Sequence, residues 1–127
     1  MHKGAKRVLV IDDNPDMRRT MQALLESEGF AVSVAADGDE ALRLQRELPA
    51  DVVITDIYMP GKEGIETIYE LRKNFPQTKV IVMSGGSRVT GVDYFQVARE
   101  LGAVKALKKP FAPGELIDAV RELTPSE

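Results

Sequence analysis

Residues 7–15 read Arg7-Val8-Leu9-Val10-Ile11-Asp12-Asp13-Asn14-Pro15, an apolar run followed by two aspartates and an Asn-Pro pair. A nearly continuous run of Val, Leu and Ile is typical of a β-strand that is covered on both faces. Asn is a favoured helix cap and Pro suits the first helical position, so we expect a helix to begin here. The stretch therefore predicts a buried strand that passes through a short acidic loop into a helix.

The same alternation of strand and helix patterns continues along the chain. The predicted strands are Arg7–Ile11, Ala31–Ala35, Asp51–Thr55, Lys79–Met83 and Val104–Leu107. The apolar stripes of the five predicted helices are Met17, Met21, Leu24 and Leu25; Ala41, Leu44, Gln45 and Leu48; Ile65, Ile68, Leu71 and Phe75; Tyr94, Val97, Ala98 and Leu101; and Leu116, Ile117, Val120 and Leu123. This pattern predicts an α/β, flavodoxin-like (βα)5 fold: a doubly wound, parallel, five-stranded sheet with strand order 2-1-3-4-5.

Length, charge and composition exclude several classes of protein. The chain has 127 residues, no cysteine and a net charge of −3, so we expect one domain over residues 1–127 with a core at about 7–123. Disulfides, Cys-based zinc sites and thiol nucleophiles are excluded. An acidic balance argues against direct nucleic-acid binding. The apolar runs are too short for a membrane span, and no signal peptide is recognisable, which together predict a cytoplasmic location.

Polar side chains follow four of the predicted strands. They are Asp12, Asp13, Asp56, Ser84 and Lys109. Ligands of such sheets bind at the carboxyl ends of the strands, so we expect these groups to meet in one pocket. Three neighbouring carboxylates repel one another by about 1–4 kcal/mol per pair, which favours a bound cation. An all-oxygen ligand set indicates Mg²⁺, or Mn²⁺ as an alternative, rather than zinc.

Such a pocket is suited to phosphoryl chemistry. A carboxylate is a competent nucleophile toward phosphorus, and the transfer depends mainly on neutralising the phosphoryl oxygens. A metal ion, Lys109 and the Ser84 hydroxyl with nearby backbone N–H groups could each neutralise one oxygen. Taken alone, each residue also has a structural explanation: Asp12 or Asp13 as a helix cap, Asp56 as a turn residue and Lys109 as a solvated charge. Their joint position after the strands favours the functional interpretation.

At this point the motifs are recognisable as those of a known family. They are Val8-Leu9-Val10-Ile11-Asp12-Asp13, Asp56-Ile57-Tyr58-Met59-Pro60-Gly61, Val82-Met83-Ser84-Gly85 and Lys109-Pro110-Phe111. Because the motifs occur in this order and with this spacing, the chain resembles the receiver domains of bacterial two-component response regulators. The resemblance is to single-domain receivers such as the chemotaxis regulators. The resemblance covers about residues 7 to 123.

The resemblance implies a phosphoryl acceptor and a magnesium site. Asp56 would accept the phosphoryl group from a phosphohistidine on a sensor histidine kinase or a phosphotransfer protein. Asp13, Asp56 and the backbone carbonyl of Tyr58 would bind Mg²⁺ directly, and Asp12 would hold it through water. The ring of Tyr58 is further expected to shield the acyl phosphate from hydrolysis.

The resemblance also implies how the signal leaves the site. Ser84 and Lys109 would contact the phosphoryl group, with a cis Lys109–Pro110 bond, whereas Lys108 would point to the other face of the strand. Phosphorylation would change the binding of a downstream protein through the face formed by the fourth strand, fourth helix and fifth strand. Such a domain modifies only itself, so we expect no enzymatic turnover, and a monomer or a weak dimer.

The sequence departs from the family pattern in two places. Many receivers carry Tyr or Phe where this chain has Ala106, so the usual aromatic switch lacks its ring, for which Tyr94 is a substitute candidate. The loop at residues 85–93 is longer than usual and rich in glycine. It could reorder on phosphorylation and carry the output signal, or it could be an idle insertion.

Four other functions remain as alternatives. One is an interaction module that works without phosphorylation, although no expected acid, hydroxyl or lysine is missing. A phosphatase with an aspartyl nucleophile would need a different motif after the first strand, and the acidic pair would repel the phosphate of a flavin mononucleotide carrier. The chain could also be a receiver cut from a larger regulator with a DNA-binding or enzymatic output.

Overall fold

The computed structural model describes residues 6–57, 64–84, 96 and 99–125. Its elements, in chain order, are β1 (Arg7–Ile11), α1 (Pro15–Ser27), β2 (Ala31–Ala35), α2 (Gly38–Glu47), β3 (Val52–Asp56), α3 (Gly64–Asn74), β4 (Lys79–Ser84), β5 (Lys105–Lys108) and α4 (Pro113–Leu123). The strands form one parallel sheet in the order β2-β1-β3-β4-β5. The predicted flavodoxin-like topology is therefore confirmed.

Alternate residues of the three central strands face opposite sides of the sheet, and each side has its own core. One core packs under α2 and α3 and includes Leu9, Ile11, Ala41, Leu42, Val53, Ile68, Leu71, Val80 and Val82. The other packs under α1 and α4 and includes Val8, Val10, Met21, Leu25, Val52, Ile54, Ile81, Met83, Leu116, Ile117 and Val120. Burial on both faces explains why β1, β3 and β4 consist almost entirely of apolar residues.

Helix α1 begins at Pro15, as predicted, because Asn14 caps it. The Asn14 side-chain oxygen accepts hydrogen bonds from the backbone N–H groups of Asp16 at 2.9 Å and Met17 at 3.2 Å. This cap satisfies two N–H groups that the first turn of a helix leaves without partners. It also fixes the direction in which the chain leaves the end of β1.

Several predicted positions differ from the structure by a small shift. β4 ends one residue later than predicted, and β3 and β5 both begin and end one residue later. Asp56 and Ser84 are therefore the last strand residues and do not follow the strands. On α2 the prediction that Leu48 faces the core was wrong, because Leu48 follows the end of the helix and is 49% exposed. Leu42 is buried in its place.

The predicted fourth helix lies mostly outside the described residues. Gln96, Arg99 and Glu100 are helical, whereas Tyr94, Val97 and Ala98 of the predicted stripe are not among the residues described. The predicted fifth helix is α4. Among the helices of the described segments, none has both the length and the apolar character needed to cross a bilayer.

A closed set of buried polar groups joins α2 to the residues that lie just before β3 and β4. The Gln45 amide donates to the Thr78 hydroxyl at 2.9 Å, and this hydroxyl donates to the Ala50 carbonyl at 2.9 Å. The Ala50 N–H donates back to the Gln45 side-chain oxygen at 3.0 Å. Because each of these groups has a hydrogen-bond partner, burying the Gln45 amide costs little free energy. The amide links α2 to the end of the sheet that lies away from the aspartates.

Candidate functional site

Two neighbouring strands bring the three predicted carboxylates together. β1 ends one residue before Asp12, and β3, which pairs with β1, ends at Asp56. Asp12, Asp13 and Asp56 each offer a carboxylate oxygen, and these oxygens lie within 4.8 Å of one another. Asp12 and Asp56 are buried, whereas Asp13 is exposed to solvent. The cluster therefore opens to solvent on the side of Asp13.

Asp12 is held at both its side chain and its backbone. Its Oδ1 accepts a hydrogen bond from the Asn14 N–H at 2.9 Å, and its own N–H donates to the Ala35 carbonyl at 3.1 Å. Its carbonyl accepts a hydrogen bond from Nη1 of Arg18 at 2.7 Å. The loop after β1 is thus fixed to β2 on one side and to α1 on the other.

Lys109 is the cation that faces this cluster. Its Nζ lies 2.7 Å from Oδ2 of Asp56 and 3.0 Å from Oδ2 of Asp12. Burial lowers the pKa of Lys109, but its hydrogen bonds to Asp56 and Asp12 and the two negative charges more than offset this effect and raise the pKa above 10.5. The lysine is therefore charged throughout the neutral pH range.

The backbone around Lys109 and Ser84 places both residues at the same edge. The Lys109 N–H donates to the Ser84 carbonyl at 2.7 Å, and the Lys109–Pro110 bond is cis, as predicted. Ser84 is buried at the end of β4, where the preceding Met83 pairs with Asp56. Lys108 is exposed and makes none of these contacts, so Lys109 is the lysine of this pair that contacts the carboxylates.

The backbone at the start of α3 lies directly against the backbone at the end of β3, a contact that sequence patterns do not predict. This contact restricts the position of Asp56. A Cβ at Gly64, the first residue of α3, would lie 2.3 Å from the Ile57 carbonyl oxygen and 2.5 Å from that of Asp56. The Gly64 N–H also donates to the Ile57 carbonyl at 3.1 Å. Only glycine therefore allows α3 to begin directly against the end of β3.

Other residues of the predicted site lie outside the described residues. These are Tyr58, with its backbone carbonyl and its shielding ring, and the loop at residues 85–93. Tyr94, the candidate substitute for the aromatic switch, also lies outside the described residues. Ala106 is exposed on β5, opposite Val82 of β4.

The residues present fit a hard divalent cation. Three carboxylates supply only oxygen donors, which Mg²⁺ and Mn²⁺ prefer, and one ammonium cannot balance three negative charges. Magnesium keeps several of its water molecules when a protein binds it, and the exposed side at Asp13 provides room for them.

The chain belongs to the response regulator receiver domain family, which it matches over residues 8–121. Phosphorylation on an aspartate in two-component signalling is the function of this family. The chain is 35% identical over 117 residues to the transcriptional regulatory protein CpxR of Klebsiella pneumoniae, and the match covers 92% of this chain and 48% of CpxR. It is also 35% identical over 116 residues to the DNA-binding response regulator MtrA of Mycolicibacterium smegmatis, covering 91% of this chain and 49% of MtrA. The chain thus spans about half the length of these curated relatives.

Solved structures with the same fold include two that this chain matches over nearly their whole length. The chemotaxis protein CheY4 of Vibrio cholerae has a TM-score of 0.87 and 28% identity, with 94% of this chain and 99% of CheY4 covered. The response regulator TrrA of Thermotoga maritima, solved in complex with Mg²⁺-BeF, has a TM-score of 0.81 and 33% identity, with 93% and 98% covered.

Proposed function

We propose that Asp56 accepts a phosphoryl group from a phosphohistidine of a sensor histidine kinase or a phosphotransfer protein, in a Mg²⁺-dependent reaction. The observation that carries this proposal is the contact of Asp56 with Lys109 inside the carboxylate cluster. Asp12 is less suited, since its two oxygens already accept from Asn14 and Lys109 and it is 1% exposed. Asp13 is exposed, and the structure records no contact between it and the lysine among the described residues.

We propose the metal ligands that the resemblance to receiver domains implies. Asp13 and Asp56 would bind Mg²⁺ directly, together with the backbone carbonyl of Tyr58, while Asp12 would act through water. Asp12 fits the indirect role because its carboxylate oxygens are held by other groups. When bound, the cation neutralises charge on the cluster and on the phosphoryl oxygens. Mn²⁺ is the alternative ion for the same ligands.

In the transfer step, a carboxylate oxygen of Asp56 forms a bond to phosphorus as the P–N bond of the donor phosphohistidine breaks. The electron pair of that bond goes to the imidazole nitrogen, and the ring leaves as neutral imidazole when its other nitrogen carries a proton. Lys109 neutralises one phosphoryl oxygen, and the Ser84 hydroxyl donates to another. The position of Ser84, next to the strand end that carries Asp56, supports this role.

The domain would transmit a signal and would not turn over a metabolite. We propose that phosphorylation changes its affinity for a downstream protein through the face of β4, the predicted fourth helix and β5. Relatives of two kinds support different outputs: CheY4 matches over nearly its whole chain, whereas MtrA is a DNA-binding regulator about twice as long as the matched region. The output is therefore a protein contact made by the receiver itself or the control of an attached domain.

The test is incubation with acetyl phosphate and Mg²⁺, followed by intact-mass measurement. We expect one added phosphoryl group in the wild type and none in Asp56→Asn or in the presence of EDTA. If no mass is added, titration with beryllofluoride separates rapid hydrolysis from an inert site. A failed titration would favour an interaction module that works without phosphorylation.

A further inference from the structure

We infer that Arg18, a residue outside the acidic cluster, is a positioning residue for the metal site. This inference rests on the proposed function of the carboxylates. The Arg18 guanidinium donates to the backbone carbonyl of Asp12 at 2.7 Å, and this carbonyl belongs to the peptide that joins Asp12 to Asp13. Arg18 therefore holds the backbone from which the exposed ligand Asp13 projects.

The other restraints on this loop all act before or after that peptide. The Asp12 N–H is bound to Ala35, and the Asp12 side chain is bound to Asn14 and Lys109. Among the described residues, Arg18 is the group that donates to the Asp12 carbonyl. Without it, the peptide between Asp12 and Asp13 could rotate, and the carboxylate of Asp13 would move relative to Asp56.

The guanidinium of Arg18 is also committed to the Asp12 carbonyl. Within the described part of the chain, no carboxylate lies within 4.0 Å of its guanidinium, whereas the neighbouring Arg19 pairs with Asp16. Arg18 is partly buried and Arg19 is exposed, although they are adjacent on α1. A hydrogen bond from a charged donor to a carbonyl is stronger than one between two neutral groups. The contact of Arg18 is therefore strong enough to hold the loop after β1 in one position.

Metal affinity measured without a phosphoryl donor tests this role directly. Isothermal titration with Mg²⁺ would compare the wild type with Arg18→Met, which keeps an unbranched apolar side chain, and with Arg18→Lys, which keeps the charge. Arg19→Met is the matched control on the same helix. We expect Arg18→Met to bind Mg²⁺ about tenfold more weakly, Arg18→Lys to recover part of this loss, and Arg19→Met to match the wild type.

The phosphorylation rate then separates positioning from a general loss of structure. With acetyl phosphate as the donor, Arg18→Met should need more Mg²⁺ for half-maximal rate but approach the wild-type rate at saturating Mg²⁺. An unchanged Mg²⁺ affinity in Arg18→Met would overturn the inference. Because affinity is measured without a donor, a wild type that binds Mg²⁺ but is never phosphorylated would refute the proposed function and leave the role of Arg18 intact.

Discussion

Nζ of Lys109 lies 2.7 Å from Oδ2 of Asp56, although the two residues are 53 positions apart and their strands are separated by β4. The parallel sheet creates this contact, because it brings the carboxyl ends of β3, β4 and β5 to one edge. The contact places a permanent positive charge beside the proposed acceptor.

Replacing this lysine should slow phosphorylation. In Lys109→Ala the phosphoryl oxygens lose one of the charges that neutralise them, so we expect the rate with acetyl phosphate to fall by at least about tenfold. Lys108→Ala is the matched control, because Lys108 is exposed and makes no contact with the cluster. Equal rates in the two variants would show that the Lys109 contact has no part in the transfer.

Removing one carboxylate should stabilise the metal-free protein. Asp13→Asn relieves repulsion within the cluster, and we expect the free energy of unfolding to rise by up to about 1 kcal/mol at low ionic strength. Mg²⁺ should raise the melting temperature of the wild type and have much less effect on the variant, since the ion binds only the folded state. Thermal unfolding with Mg²⁺ and with EDTA checks both effects. A variant that Mg²⁺ stabilises as strongly as the wild type would remove Asp13 from the ligand set.

Adding a methyl group at the start of α3 should displace the backbone of Asp56. Gly64→Ala places a Cβ against two backbone carbonyls, which cannot move as a flexible side chain would, and we expect a loss of about 1–3 kcal/mol of stability with slower phosphorylation. Gly114→Ala in α4 is the control, because nothing lies within 4 Å of the added atom. Urea unfolding compares the two variants. Equal stability would mean that α3 can shift freely against β3.

The buried amide at the other end of the sheet should matter for stability alone. Gln45→Leu leaves the Ala50 N–H without its acceptor, and we expect a loss of about 1–3 kcal/mol. Gln22→Leu serves as the control, since Gln22 bonds to Glu26 on the partly exposed surface of α1. The phosphorylation rate should be unchanged in both folded variants. A slower rate in Gln45→Leu would indicate coupling between the two ends of the sheet.

The sequence was sufficient to predict the topology and the carboxylate cluster because both depend on local patterns. Apolar runs mark the buried strands, Asn14 and Pro15 mark the start of α1, and the aspartates stand where β1 and β3 end. Strand ends differ by one residue from the prediction, since polar residues such as Ser84 can continue a strand when the neighbouring strand, here β5, pairs with them.

Contacts to backbone atoms could not be predicted in this way. An arginine on a helix reads as a solvated charge, and nothing in the sequence shows that Arg18 reaches the carbonyl of Asp12. Gly64 reads as a loop residue until the start of α3 is placed against β3. Spacing alone predicts that Leu48 lies in the core, but α2 ends before this residue, and Leu42 is buried instead.

Chemical trapping of the acyl phosphate identifies the phosphoryl acceptor among the three aspartates. The wild-type protein would be treated with acetyl phosphate and Mg²⁺ and then with borohydride, which reduces an aspartyl phosphate to homoserine, before peptide mapping by mass spectrometry. We expect homoserine at position 56 and unmodified Asp12 and Asp13. Homoserine at position 12 or 13, with Asp56 unmodified in protein that has gained a phosphoryl group, would contradict it.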